Sequence, residues 1–376
     1  MSAEQILSNA QLVTAQRTFL GTVVMRDGVI VDIAEGRSQL PRAEDLHGDY
    51  LLPGLVELHT DNLEKHMTPR PGVDWPSISA VLSHDAQIIA AGITTVFDAV
   101  SIGDVNPKGN RMKKLPAMLD AIASAEGAGL TRSEHRLHLR CELCHPDTLS
   151  VFRGLVENPL VQLVSVMDHS PGQRQFVLES KYREYYMGKY HLNDETMDAF
   201  IVLQMGNSRL YSDRYRAAIV ADCLARGLSV ASHDDATMAH VQESADYGMT
   251  IAEFPTTVEA ARGCRDLNMK VLMGAPNVVR GGSHSGNVAA EGLLDILSSD
   301  YYPASLLQAA FVLADQQDGG ELSRAINMIS LAPAKAAGLH DRGEIAIGLR
   351  ADLVHAKRQG GLPVVQQVWR QAKRVF

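Results

Sequence analysis

Histidine and acidic side chains follow apolar segments of this chain, in types and spacings that suit a metal site. The stretch LVELHTD places His59 and Asp61 two residues apart, immediately after an apolar run. In a β-strand, residues i and i+2 lie on the same face. A buried carboxylate is costly unless it is paired or bound to a metal. We therefore expect these two side chains either to bind a cation or to end the strand in solvent.

Other apolar segments end in the same residue types. The further candidate ligands are Glu142, His169, His233 and Asp300. With the first two residues they supply three imidazoles and three carboxylates, which suit one or two divalent cations. We favour zinc, and manganese or iron fit the same donors. A simpler alternative applies to single residues, because Asp61, Asp234 and Asp235 precede helical patterns and are good helix N-caps.

The elements that must position these residues alternate along the middle of the chain. Strand candidates are separated by helical patterns such as DRYRAAIVADCLARG, which is typical of βαβ units and a parallel sheet. Eight strands suit a closed (β/α)₈ barrel, a TIM-like α/β fold, better than an open doubly wound sheet. Catalytic groups of a barrel lie at the C-terminal ends of its strands. The candidate strands are LVELHT, GITTVFDAV, RLHLRCEL, VQLVSVMDHS, LSVASHDDA, MTIAEFP, KVLMGAP and LLDILSSD.

Both ends of the chain are rich in short β segments. Asp27-Gly28 lies between two such segments and predicts a hairpin turn. Because chain termini often lie close together, segments from both ends can share one sheet. We expect residues 1–52 and 343–376 to form a small β-sandwich domain and residues 53–342 to form the barrel.

Alternation within RLHLRCEL separates two faces of the third strand. His138, Arg140 and Glu142 fall on one face, which should point into the barrel, and the leucines and Cys141 fall on the other. The Cys141-x-x-Cys144 spacing resembles metal and redox motifs, but it has no second pair. Residues i and i+3 of a strand also face opposite ways, so we expect no such role.

Basic and glycine-rich segments predict that a phosphorylated molecule binds near the same end of the barrel. The loop after the seventh strand can hold an anion on its backbone N–H groups. A long excursion between His169 and His233 is basic and tyrosine-rich, and we interpret it as a lid. A flexible turn and a solvated helix face are the simpler alternatives. The candidate substrate-binding residues are Arg280, Gly281, Gly282, Ser283, His284, Lys181, Arg183 and Arg70.

Composition excludes several classes of protein. The chain has 376 residues, 45% of them hydrophobic, and a net charge of −9, so a basic surface for nucleic acid is not expected. No signal peptide or membrane span is predicted. Four cysteines in so long a chain do not suggest a disulfide framework. We expect a cytoplasmic protein with a small-molecule substrate, and a homodimer as its assembly.

Several stretches resemble the amidohydrolase superfamily. They are LLPGLVELHTD, AAGITTVFDAV, LSSDYYPASLL and the tail ISLAPAKAAGLHDRGEIAIGLRADLV. More narrowly, HTDNLEKHMTPRPGVDWP, MDHSPGQRQF and GAPNVVRGGSHSGN resemble a diphosphatase family of phosphonate catabolism, in the carbon–phosphorus lyase pathway. The resemblance implies a metal-dependent barrel that hydrolyses the 5-triphosphate of a ribose 1-phosphonate to the 5-phosphate and diphosphate. An amidohydrolase acting on a cyclic amide or an N-acyl group is the alternative.

The resemblance also implies roles for the candidate ligands. His59 and Asp61 match the first-strand metal motif, Glu142 the bridging position, and His169 and His233 the middle-strand histidines. Asp300 matches the eighth-strand aspartate, which binds metal and transfers the proton. Two departures from the superfamily pattern concern the metal count. Asp61 replaces the second histidine of His-x-His, and no lysine is available near the strand ends as a carboxylated bridge.

Overall fold

The computed structural model describes residues 4–105, 109, 111–316 and 322–376, with strands near both ends and strand–helix alternation between them. The strands are Gln5–Val13 (β1), Thr18–Arg26 (β2), Val29–Glu35 (β3), Glu44–Asp45 (β4), Tyr50–Pro53 (β5), Leu55–Thr60 (β6), Ile93–Ile102 (β7), Glu134–Glu142 (β8), Val161–Met167 (β9), Ser229–His233 (β10), Ile251–Glu253 (β11), Lys270–Gly274 (β12), Ile296–Ser298 (β13), Leu353–Gln359 (β14), Leu362–Arg370 (β15) and Lys373–Arg374 (β16).

Helices connect most of the strands in the middle of the chain. They are Asn62–Met67 (α1), Ser77–Ala90 (α2), Arg111–Gly127 (α3), Thr148–Leu155 (α4), Glu179–Tyr190 (α5), Asp194–Ala225 (α6), Met238–Asp246 (α7), Val258–Asp266 (α8), Ala275–Val279 (α9), Ser283–Ala290 (α10), Ser305–Gln316 (α11), Leu322–Asn327 (α12) and Leu331–Ala336 (α13). Among the described residues, no helix combines the length and the apolar character that crossing a membrane requires.

The strands from β6 to β13 form the predicted parallel barrel. Each pairs with its neighbour in chain order, so all eight predicted strands are confirmed. The barrel edges meet where Thr60 pairs with Asp300. Glu57 joins the same two edges, because its carboxylate accepts hydrogen bonds from the backbone N–H groups of His59 at 2.7 Å and Ser299 at 2.5 Å. Burial raises the pKa of Glu57 to about 8, although both hydrogen bonds act in the opposite direction.

Segments from both ends of the chain share a second sheet. Its order is β16-β15-β14-β5-β1-β2-β3, with β4 paired to β1, and its central contact joins β5 to β14 from the other end of the chain. The predicted hairpin at Asp27-Gly28 is confirmed, and both residues have the positive φ that a two-residue turn requires. The sheet has its own apolar core, which includes Leu12 and Trp369. The residue boundaries of the two domains stay a prediction.

The predicted alternation of the third barrel strand is confirmed. Leu137, Leu139 and Cys141 pack into the apolar layer between strands and helices. On the inner face, His138 is fully buried and hydrogen-bonds Ser165 at 2.9 Å. Further along the same face, the strand presents its polar side chains to a cleft at the end of the barrel. The polar inner face therefore carries the side chains that this strand contributes to the site.

The long excursion between β9 and β10 is helical. It consists of a short 3₁₀ helix, α5 and the 32-residue α6, which extends the predicted helix at residues 213–227 far toward its N-terminus. The sequence analysis did not predict this start. A capping box of Asn193 and Thr196 determines it, in which each side chain accepts a hydrogen bond from the backbone N–H of the other residue. Phe176, Tyr182 and Phe200 belong to a separate apolar cluster that packs these helices together.

Candidate active site

A cleft of 410 Å³ lies at the C-terminal ends of the barrel strands. All six predicted metal ligands line it, although they come from positions as far apart in the chain as 59 and 300. Parallel strands end at the same side of a barrel, which is why the sequence pattern predicts this convergence. The predicted ligands in the cleft are His59, Asp61, Glu142, His169, His233 and Asp300.

His59 belongs to a buried group of three polar side chains. Its Nδ1 lies 3.0 Å from Glu253 Oε1, and the His138 ring lies 5.1 Å from its own ring. Burial lowers the pKa of His59 well below its usual value, and the positive charge of Arg140 acts in the same direction. Burial likewise lowers the pKa of His138 to about 3. Both imidazoles are therefore held neutral, the form that binds a metal.

A second group joins the strands that end in His169 and His233. His169 Nδ1 lies 2.5 Å from Glu142 Oε2, and its Nε2 lies 3.4 Å from Asp234 Oδ2. Asp234 Oδ2 also lies 2.8 Å from His233 Nδ1. Burial opposes protonation of His169, but Glu142 and Asp234 outweigh it and raise its pKa to about 10. A divalent cation would supply the positive charge that these two carboxylates attract.

Asp61 and Asp300 contribute carboxylates from the first and eighth strands. Asp61 occupies the N-cap position of α1, but its side chain makes no capping hydrogen bond. Its Oδ1 is buried without a hydrogen-bond partner among the described residues. Burial, together with the charge of Asp61, raises the pKa of Asp300 to about 6. The helix-cap alternative therefore does not explain Asp61, and the carboxylate pair attracts a proton or a cation.

The described side chains fit a divalent cation. Among the described residues, four groups of three place one ligand atom each within 4.8 Å of the others, and two of these groups contain the predicted histidine ligands. Buried polar atoms are normally hydrogen-bonded, so unpartnered ones call for a ligand. Besides Asp61 Oδ1, two such atoms belong to these groups, His233 Nε2 and Glu253 Oε2. The two groups are His59, His138 and Glu253, and His169, His233 and Asp234.

Three members of these groups were not predicted as ligands. Glu253 is the last residue of β11. Its position at a strand end is the same signal that predicted the other ligands, so the sequence could have indicated it. A helix N-cap is the simpler alternative for Asp234, but the N-cap of α7 is Thr237, whose side chain accepts a hydrogen bond from the backbone N–H of His240. His138 was assigned correctly to the inner face, and nothing in the sequence indicates that it meets His59 across the barrel.

The predicted substrate-binding residues do not line the cleft in the described structure. Lys181 is exposed and paired with Glu184 at 2.7 Å, and Arg183 is paired with Glu179 and Asp198. Arg70 is exposed and forms an isolated bridge with Val73. A role of these residues in substrate binding stays a prediction.

The loop after the seventh strand differs from its prediction in secondary structure. Helix α9 begins directly after β12, so Arg280 is the exposed C-cap of a helix, and Gly281 and Gly282 follow it. His284 Nε2 lies 2.7 Å from the carbonyl oxygen of Pro255. The side chain of Ser283 is outside what the structure describes. Pro276 lies in the first turn of α9, where proline is favoured. This residue indicates a helix start, which the prediction of a loop did not take into account.

Other basic and aromatic residues line the cleft instead. Arg140 enters from β8, Arg111 from the start of α3 and Lys189 from α5. Tyr186 and Tyr190 of α5 line the same space, so the excursion does cover the site. Lys189 Nζ lies 3.1 Å from the hydroxyl oxygen of Tyr185 and over the rings of three tyrosines of its own helix.

The cysteines do not form a pair. All four are free and buried. Cys141 packs among the apolar side chains behind β8. Cys144 lies near the site, and its thiol donates to Glu142 Oε1 at 3.2 Å. Burial raises the pKa of Cys144 well above the usual value, so the thiol stays protonated.

Comparison with known proteins identifies the family. No protein-family model matches the chain. The chain is 54% identical to the α-D-ribose 1-methylphosphonate 5-triphosphate diphosphatase of Escherichia coli strain K12, over 99% of this chain and 100% of that protein. The chain belongs to this diphosphatase family.

Solved structures with the same fold are amidohydrolases of low sequence identity. The N-acetyl-D-glucosamine-6-phosphate deacetylase of Mycobacterium smegmatis has a TM-score of 0.68 at 15% identity, with 100% of both chains covered. The corresponding enzyme of Pasteurella multocida has a TM-score of 0.65 at 12% identity, with 99% of both covered. The chain therefore has the same fold as these deacetylases, and the predicted fold class is confirmed.

Proposed function

We propose that the chain hydrolyses α-D-ribose 1-methylphosphonate 5-triphosphate to the 5-phosphate and diphosphate, in phosphonate catabolism. The observation that supports this most strongly is the 54% identity to the E. coli diphosphatase over essentially the full length of both chains. The cleft is consistent with it, because cations from three elements lie beside a cluster of imidazoles and carboxylates. In the reaction, water attacks the α- or the β-phosphorus, a P–O bond of the α,β-anhydride breaks, and the water protons are shared between the products and the solvent as the 5-phosphate and diphosphate separate.

A divalent cation fits among the two groups of ligands described above. His59, His138 and Glu253 would hold it on one side of the cleft, and His169, His233 and Asp234 on the other. We favour zinc for this mixture of nitrogen and oxygen donors, and manganese or iron fit the same donors. Such an ion would polarise a phosphoryl oxygen and promote ionisation of water.

Asp300 is the proposed proton-transfer residue. Its raised pKa of about 6 makes its carboxylate a better base than an ordinary aspartate at neutral pH. Thr60 donates a hydrogen bond at 2.7 Å to the backbone carbonyl of Asp300, and the Asp300 N–H donates to His59 O at 3.1 Å. These two bonds hold the backbone of Asp300 beside the first strand, next to the segment that carries Asp61.

A substrate panel tests the proposed function. The wild-type protein is loaded with zinc, manganese or iron and offered the ribose 5-triphosphate, a cyclic amide and an N-acetylated sugar phosphate. We expect diphosphate from the triphosphate at a kcat/KM at least ~10⁴ M⁻¹s⁻¹ and negligible amide hydrolysis. Faster hydrolysis of either amide than of the triphosphate would favour the amidohydrolase alternative and overturn the proposal.

A further inference from the structure

We propose that Arg140 binds the triphosphate, with its guanidinium contacting non-bridging phosphoryl oxygens beside the metal ligands. This inference rests on the proposed function and adds a specific residue to it. Arg140 lies on the inner face of β8, between His138 and Glu142, and lines the cleft with His59 and Asp300. Arg140 is therefore one of the inner-face side chains of the third strand that would contact the triphosphate of the substrate.

The Arg140 side chain lacks a protein partner. In the described parts of the chain it forms no ion pair, and its Nε is buried without any hydrogen-bond acceptor. The other cations of the cleft differ in this respect. Arg111 is paired with Glu64 at 2.7 Å, and Lys189 contacts the Tyr185 hydroxyl. A buried donor without an acceptor carries a desolvation cost, so the cleft is missing the acceptor that a ligand would provide.

The charge of Arg140 acts on its surroundings. Arg140 lines the cleft together with His59 and Asp300, so its positive charge lies among the candidate metal ligands. The same cleft contains five carboxylates that would repel a polyanion, those of Asp61, Asp104, Glu142, Asp234 and Asp300. A cation among them offsets this repulsion at the place where the phosphates must enter.

The chemistry of arginine suits this position. Its planar guanidinium presents five N–H donors in a fixed fork that matches two oxygens of one phosphate, whereas lysine offers a point charge. Negative charge accumulates on the departing diphosphate as the anhydride bond breaks. A cation fixed beside the metal ligands interacts more strongly with that charge than with the ground state, so it contributes to kcat as well as to KM.

Three variants of the full-length, metal-loaded protein test the inference. Arg140→Ala should lower kcat/KM for the ribose 5-triphosphate by about 10²- to 10³-fold, the loss typical of removing one transition-state donor. Arg140→Lys should recover only part of that loss. Arg136→Ala is the control, because Arg136 lies on the same strand but is paired with Glu134 and does not line the cleft. It should change kcat/KM by less than about 3-fold.

Two further readouts separate substrate binding from a structural role. Metal content per chain should be unchanged in Arg140→Ala, and added guanidinium at millimolar concentration should restore part of its kcat. A loss of metal without guanidinium rescue would overturn the inference, as would a kcat/KM within ~3-fold of the wild type. If the wild type releases diphosphate and Arg140→Ala does so equally well, only the role of Arg140 is refuted. A wild type that releases none overturns both proposals.

Discussion

At the scale of single residues, the site is distinguished by two carboxylates, one at the end of the first barrel strand and one at the end of the eighth. Asp61 stands where the superfamily pattern has a second imidazole, and its charge contributes to the raised pKa of Asp300. Neither side chain acts as a helix cap or a surface group in the described structure. The negative charge of Asp61 favours the protonated form of Asp300, and a bound cation would relieve the same repulsion.

Asp300→Asn tests the proton-transfer role at this scale. The amide has nearly the same shape but cannot accept the proton, so kcat should fall by at least ~10³-fold. The melting temperature should change little or rise, since a buried charge next to Asp61 is removed. Steady-state kinetics and thermal unfolding measure the two quantities on the same preparation. Retention of most of the wild-type kcat would exclude Asp300 from catalysis.

Among the elements, helix α5 is the one that brings the excursion over the cleft. Its two lysines behave differently, because Lys189 lines the cleft whereas Lys181 is exposed and paired with Glu184. The sequence predicted a basic lid that contacts substrate through Lys181 and Arg183, whereas Lys189 is the cation of α5 that lines the cleft. Helical periodicity cannot decide that without the packing of Tyr186 and Tyr182 into the cluster beneath the helix.

The two lysines of α5 provide a matched pair of variants. Lys189→Ala should raise KM for the triphosphate by about 10-fold, since one cation near the polyanion is lost. Lys181→Ala should leave KM within about 2-fold. Both values come from initial rates at fixed ionic strength, because screening by salt weakens the effect. Equal changes in KM for the two variants would contradict the assignment of a cleft-facing cation to Lys189.

A buried ionic network between α2, β7 and β8 is a second feature at the scale of elements. Asp98 accepts from His84 Nε2 and His135 Nδ1, each at 2.7 Å. Burial opposes protonation of His135, but the charge of Asp98 outweighs it and raises the pKa of His135 to about 10. Folded His135 therefore keeps a proton at pH values where the unfolded chain has lost it, and the resulting stability disappears as the pH rises from about 6.5 toward 10.

The network predicts a pH dependence of stability. Between pH 7 and 9 the wild-type melting temperature should fall by about 1–2 °C per pH unit from this group. Asp98→Asn removes the charge that holds the proton, so its slope should be smaller by that amount, whatever its absolute stability. Calorimetry of both proteins across the pH range measures the slopes. Parallel curves for the two proteins would show that Asp98 does not control the protonation of His135.

Across the whole molecule, the chain order of elements was predictable and the contacts across the barrel were not. Strand–helix alternation and strand-end polarity were sufficient for the barrel and for the six predicted ligands in its cleft. The contact between His59 and Glu253 joins strands 194 residues apart, and no local pattern encodes that distance. Strand alternation placed Arg140 on the inner face, but it did not indicate that this side chain lines the cleft with His59 and Asp300. Cytoplasmic location and a homodimer stay predictions.

Metal-dependent release of diphosphate is the central claim, and phosphorus NMR of the products tests it most directly. The ribose 1-methylphosphonate 5-triphosphate is incubated with metal-free protein, and then with the same protein after one divalent metal is restored. We predict stoichiometric 5-phosphate and diphosphate with the metal and less than about 1% of that rate without it. Diphosphate at an equal rate from the metal-free protein, or stepwise release of orthophosphate, would contradict the account.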